Sequence, residues 1–156
     1  MGRRSVQRCI TSADEANIAT SIANAEREHS AEIRVVVEGS RPIRSLFSAN
    51  SLRKRAEYIF AIERVWDTER NNGVLLYVSL ADRACEIVVD RGVAALVEDA
   101  TWQGISQRFI SDIKGRGLVN ALAAVVLEIG AELKKHFPSV EGEGNRNELP
   151  DQIILR

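Results

Sequence analysis

Five oxygen-bearing side chains, Glu32, Asn71, Asn72, Asp90 and Asp99, fall where the strands and helices of this chain are expected to begin or end. Carboxylates, amide oxygens and backbone carbonyls are the donors that hard cations such as calcium or magnesium take. Asp67, Glu69 and Glu98 stand close by in the sequence and add to the acidic character of the same region. Each residue also has a plain structural role open to it. Asp99 can favour the N-terminus of a helix, Asp90 can shape the turn before Gly92, and Glu32 can pair with Arg34 or Arg91.

Other constellations carry less. Cys85 and Arg91 have the Cys-x5-Arg spacing of a phosphatase loop, but Glu86-Ile87-Val88-Val89-Asp90 between them is a strand sequence without glycine. It offers no cradle of backbone N–H groups to an anion. Gly115-Arg116-Gly117 lacks the Lys-Ser/Thr of a Walker loop and reads as a turn between helices. The two histidines, His29 and His136, sit at helix ends, where a cation suits the helix dipole. Arg41, Arg44, Arg53, Lys54 and Arg55 cluster around one helix start and offer a basic face to an acidic partner.

The elements that position these residues follow from periodicity. Val74–Val78 and Ala84–Val89 are apolar runs joined by the short polar turn Leu80–Arg83, an antiparallel hairpin with Gly73 opposite Asp90. Ala31–Glu38 is a Val-rich strand. Leu52, Ala56, Ile59 and Ile62 (or Phe60), then Val65-Trp66, give the stretch 50–69 an apolar helical stripe. Strand, helix, strand is a crossover, so Ala31–Glu38 and Gly73–Ser79 run parallel and the sheet is mixed. Glu32, Asn71-Asn72-Gly73 and Asp90 then meet at one sheet edge, with Asp99 opening the next helix nearby. A first helix spans about 12–28, with Ser12 as N-cap and Glu15 closing a capping box. Helices are expected over Asp99–Ile113, broken by Lys114–Gly117, and over Leu118–His136, stopped by Phe137-Pro138. One domain over 12–138 results, between a frayed segment 1–11 and an extended or mobile tail 139–156 whose Ile153-Ile154-Leu155 can dock.

Composition narrows the function. The chain has 156 residues, a net charge of -1 and 5% aromatic residues. That charge gives no general pull towards nucleic acid, and few rings are available for base stacking. Cys9 and Cys85 make no disulfide framework. No apolar stretch reaches membrane-spanning length and the N-terminus carries no export signal, so no membrane insertion and a cytoplasmic location are expected.

The succession Ser30–Val37, Asn71–Ser79, Arg83 to Gly92, Trp102-Gln103-Gly104-Ile105, Gly117-Leu118, His136-Phe137-Pro138 and Asn147-Glu148-Leu149-Pro150-Asp151 resembles the TPM-domain family. It is most similar to a soluble, stand-alone bacterial branch of that family. The resemblance implies a three-layer α/β/α sandwich around a small mixed β-sheet, and divalent-cation binding in some members. It places the family's acidic positions on Glu32, Asp90 and Asp99. It also implies acid phosphatase activity in plant members and roles beside membrane-protein complexes in others. Three functions follow as expectations. The first is a non-catalytic accessory module that binds calcium or magnesium and an unidentified protein partner, as part of a membrane-associated assembly. The second is a weak metal-assisted phosphomonoesterase. The third is an interaction module working through Arg53, Lys54 and Arg55 and the tail.

Overall fold

The computed structural model describes residues 3–42, 49–140 and 147–156, with side chains from Val6 onward. Arg44, one of the basic cluster, lies outside the described residues. Four strands form one mixed sheet in the order β3-β2-β1-β4. They are β1 (Glu32–Glu38), β2 (Gly73–Ser79), β3 (Ala84–Val89) and β4 (Ile154–Leu155). β1 and β2 run parallel with Glu32 beside Gly73, and β2 and β3 run antiparallel with Val74 beside Val89. The hairpin and the crossover expected from the sequence are both present. β1 and β2 are buried along their whole length, as strands covered on both faces should be.

Six helices surround the sheet among the described residues: α1 (Arg3–Cys9), α2 (Ser12–Glu26), α3 (Ser51–Ile62), α4 (Arg91–Ala94), α5 (Asp99–Arg116) and α6 (Leu118–His136). Alternation along the strands divides the core in two. Ile33, Val35, Val37, Val74, Leu76 and Val78 join the buried stripes of α2, α5 and α6. Val36, Leu75, Tyr77 and Val88 face the other way and pack with Ala56 and Ile59 of α3. Helices therefore cover both faces, an α/β fold around a mixed sheet.

Several boundaries differ from expectation, each for a local reason. The segment expected to fray forms α1, because Val6 and Ile10 are fully buried in the larger core. Thr11, not Ser12, is the N-cap of α2. Its hydroxyl accepts from the Asp14 N–H, and the Asp14 carboxylate accepts from the Thr11 N–H at 2.8 Å. That box sits one residue earlier and uses Asp where Glu was expected. α3 stops at Ile62, since Arg64 adopts φ 54 and turns the chain away. Ile62 and Trp66, expected on the apolar stripe, are exposed. α5 continues through Gly115 and ends at Gly117, whose φ of 79 suits glycine. The tail supplies a fourth strand: Ile154 and Leu155 pair in parallel with Val36 and Val37, and Ile153 and Leu155 are buried.

Candidate functional site

The end row of the sheet assembles most of the predicted residues. Glu32 opens β1, Gly73 opens β2 beside it, and the Asp90 N–H donates to the Gly73 carbonyl at 2.9 Å on the other side. Gly73 is required there, because a Cβ would lie 2.0 Å from the Val65 carbonyl oxygen. Asn71 takes φ 51, a conformation Asn tolerates, and its carbonyl accepts from the Gly92 N–H at 2.9 Å. That contact ties the entry of β2 to the exit of β3.

The side chains on this row do different things. Asn72 is buried; its Nδ2 donates to the Ser30 carbonyl at 2.9 Å, while its Oδ1 is buried without a donor. Asp90 caps α4 through Oδ1, which accepts from the Arg91 N–H at 2.8 Å, and its Oδ2 is buried without a donor. Two orphaned oxygens therefore stand on the N-terminal edge of the sheet. A buried acceptor with no partner is costly by about 1–3 kcal/mol and invites an external one.

Glu32 lies on this row as expected, with its carboxylate turned to the tail. It is fully buried, and its two oxygens accept from the Glu148 and Leu149 N–H groups at 3.2 and 3.3 Å. Its carboxylate anchors the tail and makes no ion pair with Arg34 or Arg91 among the contacts seen. Arg34 follows the same logic, donating to the Pro150 and Gln152 carbonyls at 2.5 and 3.1 Å. Asp99 begins α5 and lines a groove along β3 with Glu86, Ile87 and Trp102. Among the described residues no three His, Cys, Asp or Glu side chains group as metal ligands.

A cluster that the sequence reading missed lies beside Glu32. Glu26 ends α2, is buried, and its Oε1 accepts from the Ile33 N–H at 2.7 Å. It also hydrogen-bonds Asp151 of the tail. Burial, and then the neighbouring Glu32 charge, push the Glu26 carboxyl up to about 9. Burial likewise pushes Glu32 up to about 7, opposed by the two tail N–H groups. The signal for Glu26 was available: it follows Ile18 and Ile22 at helical spacing on the buried stripe. Nothing local marked Asp151.

The remaining candidates resolve on geometry. His29 is fully buried, and burial pulls its imidazole down to about 4, so it is neutral at pH 7 and supplies no charge to a helix end. Burial pushes the Cys85 thiol up to about 11, and it faces the Ser106 carbonyl 3.7 Å away. A protonated thiol within a strand is no phosphatase nucleophile. Three of the clustered arginines are engaged internally. Arg41 binds Asp82 through two nitrogens at 2.6 and 2.8 Å, Arg55 binds Glu38 at 2.5 Å, and Arg53 reaches Glu57 and Glu86. Glu38 also accepts from the Tyr77 hydroxyl at 2.6 Å. No helix among the described residues is long and apolar enough to cross a membrane.

Comparison with known proteins agrees with this architecture. The NMR structure of the BA42 protein from the psychrophilic bacterium Bizionia argentinensis matches with a TM-score of 0.80 at 28% identity, over 93% of this chain and 94% of that one. The solution NMR structure of the N-terminal domain of a P. gingivalis protein matches with a TM-score of 0.67 over 88% of this chain and 82% of that one. Its 17% identity makes this a likeness of fold. A search of curated protein sequences finds no match. The family model described as the TPM domain matches residues 6–132, from α1 into α6 and so across the hairpin and the Gly73 row. With the mixed four-stranded sheet, the covering helices and that match in agreement, the chain belongs to the TPM-domain family.

Proposed function

We propose that this domain is a non-catalytic binding module that takes a divalent cation, calcium or magnesium, on the N-terminal edge of its sheet and serves a larger protein assembly. The observation that carries the reading is the pair of buried oxygens without donors, Asn72 Oδ1 and Asp90 Oδ2. A hard cation satisfies such oxygens and fills its remaining positions with backbone carbonyls and water. Asp90 would supply the charge, Asn72 an amide oxygen, and Asn71 its side-chain amide. Glu32 and Asp99, named with them from the sequence, act in this reading as tail anchor and groove residue. One carboxylate and neutral oxygens make a weak site, of the 10⁻⁴–10⁻³ M class.

The test is a calcium and magnesium titration of the chelator-treated full chain, read by amide NMR. Saturable shifts at Asn71–Gly73 and Asp90–Gly92, lost in Asp90→Asn with the fold retained, are the expected result. No localised response up to about ten millimolar, beyond the weak end of such sites, overturns it. The phosphomonoesterase alternative gains no nucleophile from this geometry, so a phosphate-ester assay of the loaded protein is the second measurement.

A further inference from the structure

Among the described residues β3 is the outer strand of the sheet, and its unpaired edge opens into a groove of about 620 Å³ between α3 and α5. The direction of its backbone groups follows from the pairing with β2. The Asp90 N–H points to Gly73, so the alternate residues Cys85, Ile87 and Val89 turn their N–H and C=O groups outward. The Ile87 carbonyl confirms this: it accepts from Arg53 Nη1, which reaches across the groove, at 2.8 Å. An edge of this kind accepts a further strand through main-chain hydrogen bonds.

Two independent observations describe what fits. Trp102 lines the groove, is 3% exposed, and its buried indole N–H finds no acceptor. Trp66 differs, donating its indole N–H to the Ala61 carbonyl at 3.1 Å. A residue of the groove wall thus carries a donor left without an acceptor, a partner that a peptide carbonyl can supply. Among the described residues the charged lining is Arg53 against Glu57, Glu86 and Asp99, one cation to three carboxylates. Arg53 bonds Glu57 at 3.1 Å and Glu86 at 3.4 Å as well as the Ile87 carbonyl, so its guanidinium occupies one outward acceptor of the edge.

We infer that the β3 edge is a docking site for an extended, basic peptide segment of another protein. The segment pairs with the outward groups of Cys85 and Ile87 and displaces Arg53 from the Ile87 carbonyl. Its lysines or arginines then replace Arg53 beside Glu57, Glu86 and Asp99. The opposite edge of the same sheet already accepts a short strand, β4, beside β1. This inference uses neither Asn72 nor Asp90 and stands apart from the cation reading.

The experiment uses the full chain carrying Trp66→Phe, which leaves Trp102 as the fluorescence reporter. The probe is an end-blocked nonapeptide of alternating Val and Lys. Its controls are the same peptide N-methylated at alternate residues, which removes strand pairing, and a version with Glu in place of Lys. The expected result is saturable binding that weakens with salt, with amide shifts at Cys85, Ile87 and the Trp102 indole. Arg53→Gln tightens it by about two- to fivefold, the effect of removing one competing charge at a partly exposed site, and Glu86→Gln weakens it by a similar factor. No saturable response at millimolar peptide overturns the proposal. So does equal binding of the N-methylated control. Dimerisation of the free chain through the same amides would assign the edge to a second copy and overturn it as well.

Discussion

At the scale of single residues, several buried charged groups here are answered by partners from distant parts of the chain. Glu26 is the sharpest case. Its carboxyl lies between the Ile33 N–H, Glu32 and Asp151, and burial holds it protonated far above the usual carboxylate range. A carboxyl whose folded value is raised stabilises the fold most below its unfolded value. That contribution is lost as pH rises through the folded one. Stability is therefore expected to fall between the ordinary Glu value of 4.5 and about 9, with Glu32 contributing the part up to about 7. Urea melts of the full chain across this range check it. Glu26→Gln, which is neutral at every pH, is expected to flatten the curve, although its amide satisfies the site imperfectly at a cost of about 1–3 kcal/mol. A profile as steep as that of the unaltered chain would show that Glu26 is not the group responsible.

At the scale of elements, close approach decides the packing. α2 and α6 meet where Gly130 faces Ala25, and a Cβ on Gly130 would lie 2.9 Å from the Ala25 Cβ and 3.5 Å from His29 Nε2. The end of α6 is held beside α2 by the Ser30 N–H donating to the Phe137 carbonyl at 2.8 Å and by the ion pair of Lys134 with Glu28. Gly130→Ala improves helix propensity by up to about 1 kcal/mol, yet overpacking costs about 1–3 kcal/mol. The variant is therefore expected to be less stable in thermal melts. An unchanged or higher midpoint would mean that α2 and α6 separate without loss. The same crowding explains why His29 is neutral, since the helix pair that needs Gly130 also excludes water from the imidazole.

At the scale of the whole molecule, the tail is a working part of the sheet. Glu32 and Arg34 hold residues 148–152, β4 extends β1, Gly39 donates to the Arg156 carbonyl at 2.9 Å, and Arg156 reaches Glu63 at 2.5 Å. A chain ending at residue 146 would leave Glu32 and Arg34 buried or half-buried without these partners. It would also expose the β1 edge. The expected loss is about 3–5 kcal/mol, the size associated with stripping partners from buried charges. Denaturant unfolding of the shortened chain checks it, and a loss under about 1 kcal/mol would mean that the tail merely rests on the surface.

The sequence by itself determined the elements with local signatures. β2, β3 and their register came from two Val-rich runs around a four-residue turn, and α6 came from an apolar run ended by Phe137-Pro138. Parallel pairing of β1 with β2 followed from the crossover between them. The juxtaposition of Glu32, Asn72, Gly73 and Asp90 in one row followed from that topology. Only the tertiary structure decided how each side chain is used. It gave Glu32 and Arg34 to a tail more than a hundred residues away, set Asp99 along the β3 groove, and turned Arg41, Arg53 and Arg55 onto carboxylates of the same chain. The reason is physical. Periodicity records which face of an element is buried, because that depends on neighbours three or four residues away. Hydrogen-bond and ion-pair partners are selected by contacts between segments whose separation in sequence leaves no local trace.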